Sequence, residues 1–193
     1  MKCTLIWIQE DPTFPSCAYA HGSRPTISMF ERLPSKINYK LVCLLCNYLL
    51  GTEILYDEQE IIKGIREFQA SAKSFWGACV DSMLPSFSVG KVKQGYTDAK
   101  SRGVRIQYIT EITKENLQFC VEIMQFAELR HLDKVKGNFA VSDLEYVAGS
   151  MQGDTLTSLV RSNSVELVQQ QRNVFDTLWA HAIPAEEKIK KFI

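Results

Sequence analysis

Histidine is scarce in this chain of 193 residues: three occur, His21, His131 and His181. Chemistry that needs two imidazoles facing one another has few places to be. An excess of one charge is also missing, since 22 Lys and Arg balance 22 Asp and Glu. A dedicated nucleic-acid binder draws its affinity mainly from surplus positive charge, so no nucleic-acid partner is expected. No helix-turn-helix with a basic recognition helix is visible either. Long hydrophobic runs are lacking as well. The stretch "LVCLLCNYLL" at 41–50 is about half the length of a membrane-spanning helix. The apolar run within Met1–Ile8 is too brief for a secretory signal. No membrane partner is expected.

The six cysteines include one pair at C-x-x-C spacing, Cys43 and Cys46. A zinc site would need a second Cys or His pair at similar spacing, and none exists. A redox motif needs an accessible thiol between a strand and a helix, whereas this pair sits in an apolar stretch. The cysteines therefore read as reduced, buried thiols of a cytoplasmic protein, with no metal and no cofactor.

The chain divides near residue 50. Four of the six prolines lie before it, and residues 1–50 show no sustained period. They read as an irregular N-terminal extension with one orderly piece, a short helix at 38–50. From Gly51 the pattern becomes regular. "TEILY" reads as a strand, and Asp57 with Glu60 as a capping box. Ile61, Ile62, Ile65, Phe68, Gln69 and Ala72 form the apolar stripe of a helix ending near Lys73. "SFWGACVDS" is a buried strand. Residues 89–103 form one amphipathic helix stopped by Gly103, and "VRIQYITEI" the next strand. Thr113 caps a third helix, "KENLQFCVEIMQFAEL". "GNFAVSD" and "EYVAGSM" form an antiparallel hairpin, followed by the strand "TLTSLVRSN". Ser164 caps a long helix that Pro184 breaks, and "AEEKIKKFI" starts another. The expected fold class is α/β, with one mixed sheet flanked by helices. The sheet starts as parallel βαβαβ and finishes as an antiparallel hairpin. The domains are 1–50, 51–183 and a C-terminal helix start at 184–193.

Ligands of open α/β sheets collect beyond the carboxyl ends of parallel strands. Those ends carry Asp81 and Ser82 after one strand, and Thr110 and Glu111 after the next. "RHLDKVKGN" brings Arg130, His131, Lys134 and Lys136 toward the same rim, with Asn138 following. Two readings of these residues stand side by side. Cations, a His and carboxylates converge on a small, anionic ligand, or Arg130 and His131 pair with Asp81, Glu111 or Asp133 to lock the turn. A hydrolase would have to draw on Cys79 or Cys120 with His131, although both thiols fall in apolar patterns.

Four features, "AKSRGVRIQYIT", "KGNFAVSD", "AGS" and "VFDTLW", carry a resemblance. Over residues 52–183 the chain resembles one half of a phospholipase D-like fold. The motif strand of that family has a His, a Lys two residues on, an Asp five further along, and Gly-Ser shortly after. Here Asp143, Gly149 and Ser150 stand in place, but Lys136 replaces the His and Asn138 the Lys. The family's reaction needs a His nucleophile, a second His as acid and Lys groups that hold phosphate charge. Lys136 offers an ammonium, which holds anions well and attacks poorly. The resemblance implies the shell of an enzyme site. Non-catalytic versions of this fold serve as effector-sensing domains in archaeal transcription regulators.

Three further stretches, "RGVRIQYITEITKEN", "ELRHLDKVKGNFAVSDLEYVA" and "FDTLWAHAIPAEEKIK", are similar to the N-terminal input domain of archaeal signal-transduction histidine kinases. That resemblance implies a cytoplasmic, non-catalytic module of a two-component system, with a kinase core downstream. Its partner would be a small molecule or a protein, and a homodimer is compatible with it. The sequence carries no dimerisation helix with a phosphoacceptor His and no Gly-rich ATP lid, so the chain is not expected to be a kinase itself.

Overall fold

The computed structural model describes residues 51–152 and 155–192. The extension expected over 1–50, with its helix at 38–50 and its C-x-x-C pair, lies outside the described residues. β1 (Thr52–Leu55) leads into α1 (Glu58–Ser71). Asp57 caps this helix, its carboxylate accepting the N–H groups of Gln59 at 2.9 Å and Glu60 at 3.2 Å. These N–H groups have no partner inside the helix, which is why an Asp there sets its start. α1 buries Ile61, Gly64, Phe68 and Gln69, one face of a 3.6-residue repeat.

β2 (Phe75–Val80) is buried along its whole length. α2 (Leu84–Lys91) and α3 (Lys93–Ser101) follow, then β3 (Arg105–Thr110), α4 (Leu117–Ile123) and β4 (Glu128–His131). β5 (Asn138–Ser142), β6 (Tyr146–Gln152) and β7 (Thr155–Ser162) form a meander. α5 (Val165–His181), β8 (Ile183–Pro184) and α6 (Ala185–Ile189) close the chain.

The eight strands make one sheet in the order β1-β7-β6-β5-β2-β3-β4-β8. β2, β3 and β4 are parallel, and every other pairing is antiparallel. One face packs Phe68, Trp76, Tyr96, Tyr108 and Ile123 beneath α1 to α4. The other packs Phe75, Cys79, Ile109 and Val141 against Phe175 and Trp179 of α5. Gly77 permits that second contact, since a Cβ there would stand 2.6 Å from the Phe175 ring. Among the described residues, no helix is long and apolar enough to cross a membrane.

The mixed α/β sheet agrees with the sequence reading, and three details differ. β1 is not part of the parallel run: it lies at the far edge, antiparallel to β7. Its alternating exposure suits an edge, whereas the fully buried β2 takes β5 as its neighbour. The helix expected over 89–103 is two helices that break at Val92. Val92 leaves the helical region with φ −132 and ψ 15, and the carbonyls of Lys91 and Val92 accept side-chain bonds from Arg66 and Gln69 of α1, each at 3.2 Å. The third helix is cut short at Ile123, because Glu128–His131 pairs with β3 as a strand. Leu129 is buried there and Val121 is half exposed, so the apolar spacing that suggested one long helix belongs to two elements.

Candidate functional site

β5 braces β2 at both ends. At the carboxyl end, the Asp81 N–H donates to Asn138 Oδ1 at 2.9 Å, and Asn138 Nδ2 returns a bond to Asp81 Oδ2 at 2.8 Å. The other carboxylate oxygen of Asp81 accepts the N–H groups of Met83 at 2.9 Å and Leu84 at 3.2 Å, at the start of α2. Thr110, fully buried, donates its hydroxyl to the Asp81 carbonyl at 3.0 Å. At the amino end, Asp143 accepts the N–H groups of Phe75 at 3.0 Å, Ser74 at 3.1 Å and Lys73 at 3.3 Å. Partial burial works against the Asp143 charge, but these N–H donors outweigh it and hold the carboxyl below its ordinary range.

Sequence reasoning missed Asn116. Its Nδ2 donates to the carbonyls of Ser82 and Glu111, both at 2.9 Å, and so ties together the exits of β2 and β3. Its Oδ1 accepts the Thr113 N–H at 2.9 Å. Thr113, expected to cap a helix, accepts the Asn116 N–H on its hydroxyl at 3.4 Å, the reciprocal exchange of a capping box, although the helix itself begins only at Leu117. The signal was the spacing of Thr113 and Asn116, which allows a side chain–backbone exchange three residues apart.

Asp81, Ser82, Thr110, Glu111 and Asn138 thus share one hydrogen-bonded rim. Arg130 and His131 do not join it together, because neighbouring strand residues point to opposite faces. His131 is 3% exposed. Its Nδ1 accepts the Ile112 N–H at 2.9 Å, which leaves the proton on Nε2 to donate to Asp133 Oδ1 at 2.9 Å. That bond and Lys188 at 3.6 Å hold the Asp133 carboxyl below its ordinary range.

Arg130 turns to α5, where it donates to the Trp179 carbonyl at 3.0 Å and covers the Trp179 ring at 4.3 Å. Its other end meets Glu128 at 3.5 Å. Arg130 lines a cleft of about 370 Å3 with Glu128 and Glu186, and those carboxylates oppose an anion there. Lys136 is exposed on the turn before β5.

Burial pushes the thiols of Cys79 and Cys120 up to about 12. Cys120 bonds Asn116 Oδ1 at 3.4 Å, while both ring nitrogens of His131 are engaged elsewhere. The described residues therefore hold no thiolate–imidazole pair built on these groups.

Asn138 and Gly149 lie opposite one another in the β5–β6 register. Both line an apolar cavity of about 60 Å3 under α1 and α2.

No protein-family model matches the chain, and no curated protein does. Solved structures do match. NucT from Helicobacter pylori superposes with a TM-score of 0.58 at 11% identity, over 69% of this chain and 98% of that one. Nuc from Salmonella typhimurium, a phospholipase D family member, gives 0.56 at 14%, over 69% and 97%. The chain has a phospholipase D-like fold. TrmBL2, an archaeal chromatin protein whose structure shows a novel mode of DNA binding, gives 0.57 at 16% identity. That match covers 76% of this chain, which spans only 62% of TrmBL2. At such identities the likeness is one of fold, and it does not extend to the histidine-kinase part of the resemblance.

The TrmBL2 match corrects one expectation. Zero net charge argues against a nucleic-acid partner, yet this fold occurs in a protein that binds DNA. A sum over the whole chain hides local charge. The guanidinium of Arg172 lies 3.3 Å from the Phe75 ring centre and that of Arg105 5.3 Å from it, with the exposed Lys73 two residues before Phe75; Asp176 pairs with Arg172 at 3.0 Å, and Asp143 accepts the Lys73 N–H.

Proposed function

We propose that the chain is a non-catalytic phospholipase D-like module, the sensing input of a signal-transduction protein of the histidine-kinase type. One observation carries the non-catalytic part. Asn138, where the motif strand of the resembling family has its phosphate-holding Lys, spends its amide on a reciprocal pair of bonds with Asp81. The preceding His position is the exposed Lys136. The strand that would work on substrate instead fastens the sheet. The three stretches similar to kinase input domains support the signalling part. So does Arg130, which ties β4, next to the edge strand β8, to the last turn of α5, just before the C-terminal segment.

A second reading, a nucleic-acid partner, is favoured by Lys73 and Arg105 near Phe75, where Arg172 is already ion-paired with Asp176 at 3.0 Å, and by the printed description of TrmBL2. Binding through that patch would weaken steeply with salt.

The test is hydrolysis of a chromogenic phosphodiester by the full chain. The module is expected to show no turnover above that of its Lys136→Ala variant. Turnover that Lys136→Ala abolishes would overturn the reading.

A further inference from the structure

The cavity beside Asn138 and Gly149 draws its walls from both layers, including Phe68 of α1, Trp76 of β2, Phe87 of α2 and Leu159 of β7. Protein interiors pack as densely as organic crystals, with few voids larger than a water molecule. A void of about 60 Å3 exceeds that, though it is well below the roughly 150 Å3 of an apolar cavity that accepts benzene. It has room for a molecule of a few heavy atoms.

The lining also states what kind of molecule. Among the described residues, no Lys, Arg, Asp or Glu contributes to it. An ion entering would lose its hydration with nothing in return. Three polar side chains on the wall are already engaged: Asn138 with Asp81, Ser88 with the Tyr108 hydroxyl at 2.9 Å, and Tyr96 with Ser88. Trp76 is different. It is 2% exposed, and its Nε1–H has no hydrogen-bond partner among the described residues. Tyr96 stacks on its ring at 4.2 Å and Phe68 meets it edge-on at 5.7 Å, so the indole cannot turn to find one. A buried donor left unpaired is costly, and an acceptor that reaches it recovers that cost.

We propose that this cavity binds a small neutral molecule, apolar except for one hydrogen-bond acceptor that takes the Trp76 Nε1–H. The proposal rests on the non-catalytic reading, since it places an uncharged ligand beside the motif positions Asn138 and Gly149. Anions are excluded by the same walls.

The probes are dimethyl ether and propane, which have three heavy atoms each, share a shape and differ in the ether oxygen. Each is dissolved under pressure in a solution of the 15N-labelled full chain, with the Trp76 indole N–H resonance followed. Both should bind, and only dimethyl ether should move that resonance strongly downfield. Trp76→Phe should lower the affinity ratio of ether to alkane by about threefold or more. Ala140→Val, or Val80→Ile should the first not fold, should weaken both probes by filling the cavity. Binding of neither probe overturns the proposal, as does an affinity ratio indifferent to Trp76→Phe or binding indifferent to both filling variants. Phosphodiester turnover would overturn the non-catalytic reading itself; absence of turnover together with absence of probe binding overturns this inference alone.

Discussion

Asn138 and Asp81 hold one another by two hydrogen bonds, amide to carboxylate at 2.8 Å and backbone N–H to amide oxygen at 2.9 Å. Five residues along, Asp143 performs the same service at the other end of β2. The motif strand therefore frames the central strand on which both core faces are built.

Arg130 is the residue on which the sequence offered two readings, and the structure gives it a third set of contacts. Neither Asp81 nor Glu111 depends on it. Arg130→Ala should cost about 1–2 kcal/mol, the sum of a charge-assisted bond to the Trp179 carbonyl and a partly exposed cation–π contact. The roughly 3–5 kcal/mol of an orphaned buried carboxylate is not expected, because Glu128 is 54% exposed. Chemical denaturation measures the difference, and hydrogen exchange should show faster opening at Leu178–Ala182. A loss of the larger size would mean that Arg130 neutralises a buried acid.

Asp143 makes stability depend on pH in a known direction. Its folded-state carboxyl is held below the ordinary value, so its contribution is present above that value, about 4 for Asp. It is lost as pH falls through the folded value. Asp143→Ala should cost roughly 1 kcal/mol at neutral pH, a modest figure because the carboxylate is exposed to solvent. The gap between wild type and variant should stay constant from neutrality down to about pH 5 and close below about pH 4. A gap that persists at low pH would remove the carboxylate from the explanation.

A chain that begins at Gly51 should fold cooperatively, since β1 to β8 and α1 to α6 all follow that residue. Calorimetry of residues 51–193 checks this. Insoluble or molten protein would show that "LVCLLCNYLL" completes the core.

Much of this architecture was legible because its signals are local. Asp57 caps where an acidic residue before an apolar repeat should, and Gly103 takes a left-handed φ of +82 at the end of α3. The edge position of β1 was not legible, because pairing partners depend on competition among strands far apart in sequence. β4 hid inside a helical period, since Cys120, Ile123 and Phe126 are buried at spacings that fit a helix and a turn alike. At the rim, Asp81 and Thr110 follow from the rule on strand ends, whereas Asn138 is marked only by the segment that leads into β5 and by the motif spacing. Side-chain direction separates Arg130 from His131, and no composition reveals that. Asn116 acts on carbonyls 34 and 5 residues away, and the larger separation leaves no mark in a local window.

The motif strand serves β2 as a structural clasp. A double-mutant cycle of Asp81→Ala and Asn138→Ala, read as unfolding free energy in urea, tests it most directly. Each single change should destabilise by about 1–3 kcal/mol, since it strands the polar group of the other. The double variant should cost less than the sum, with a coupling of about 1–2 kcal/mol. Additive costs, with coupling near zero, would contradict it.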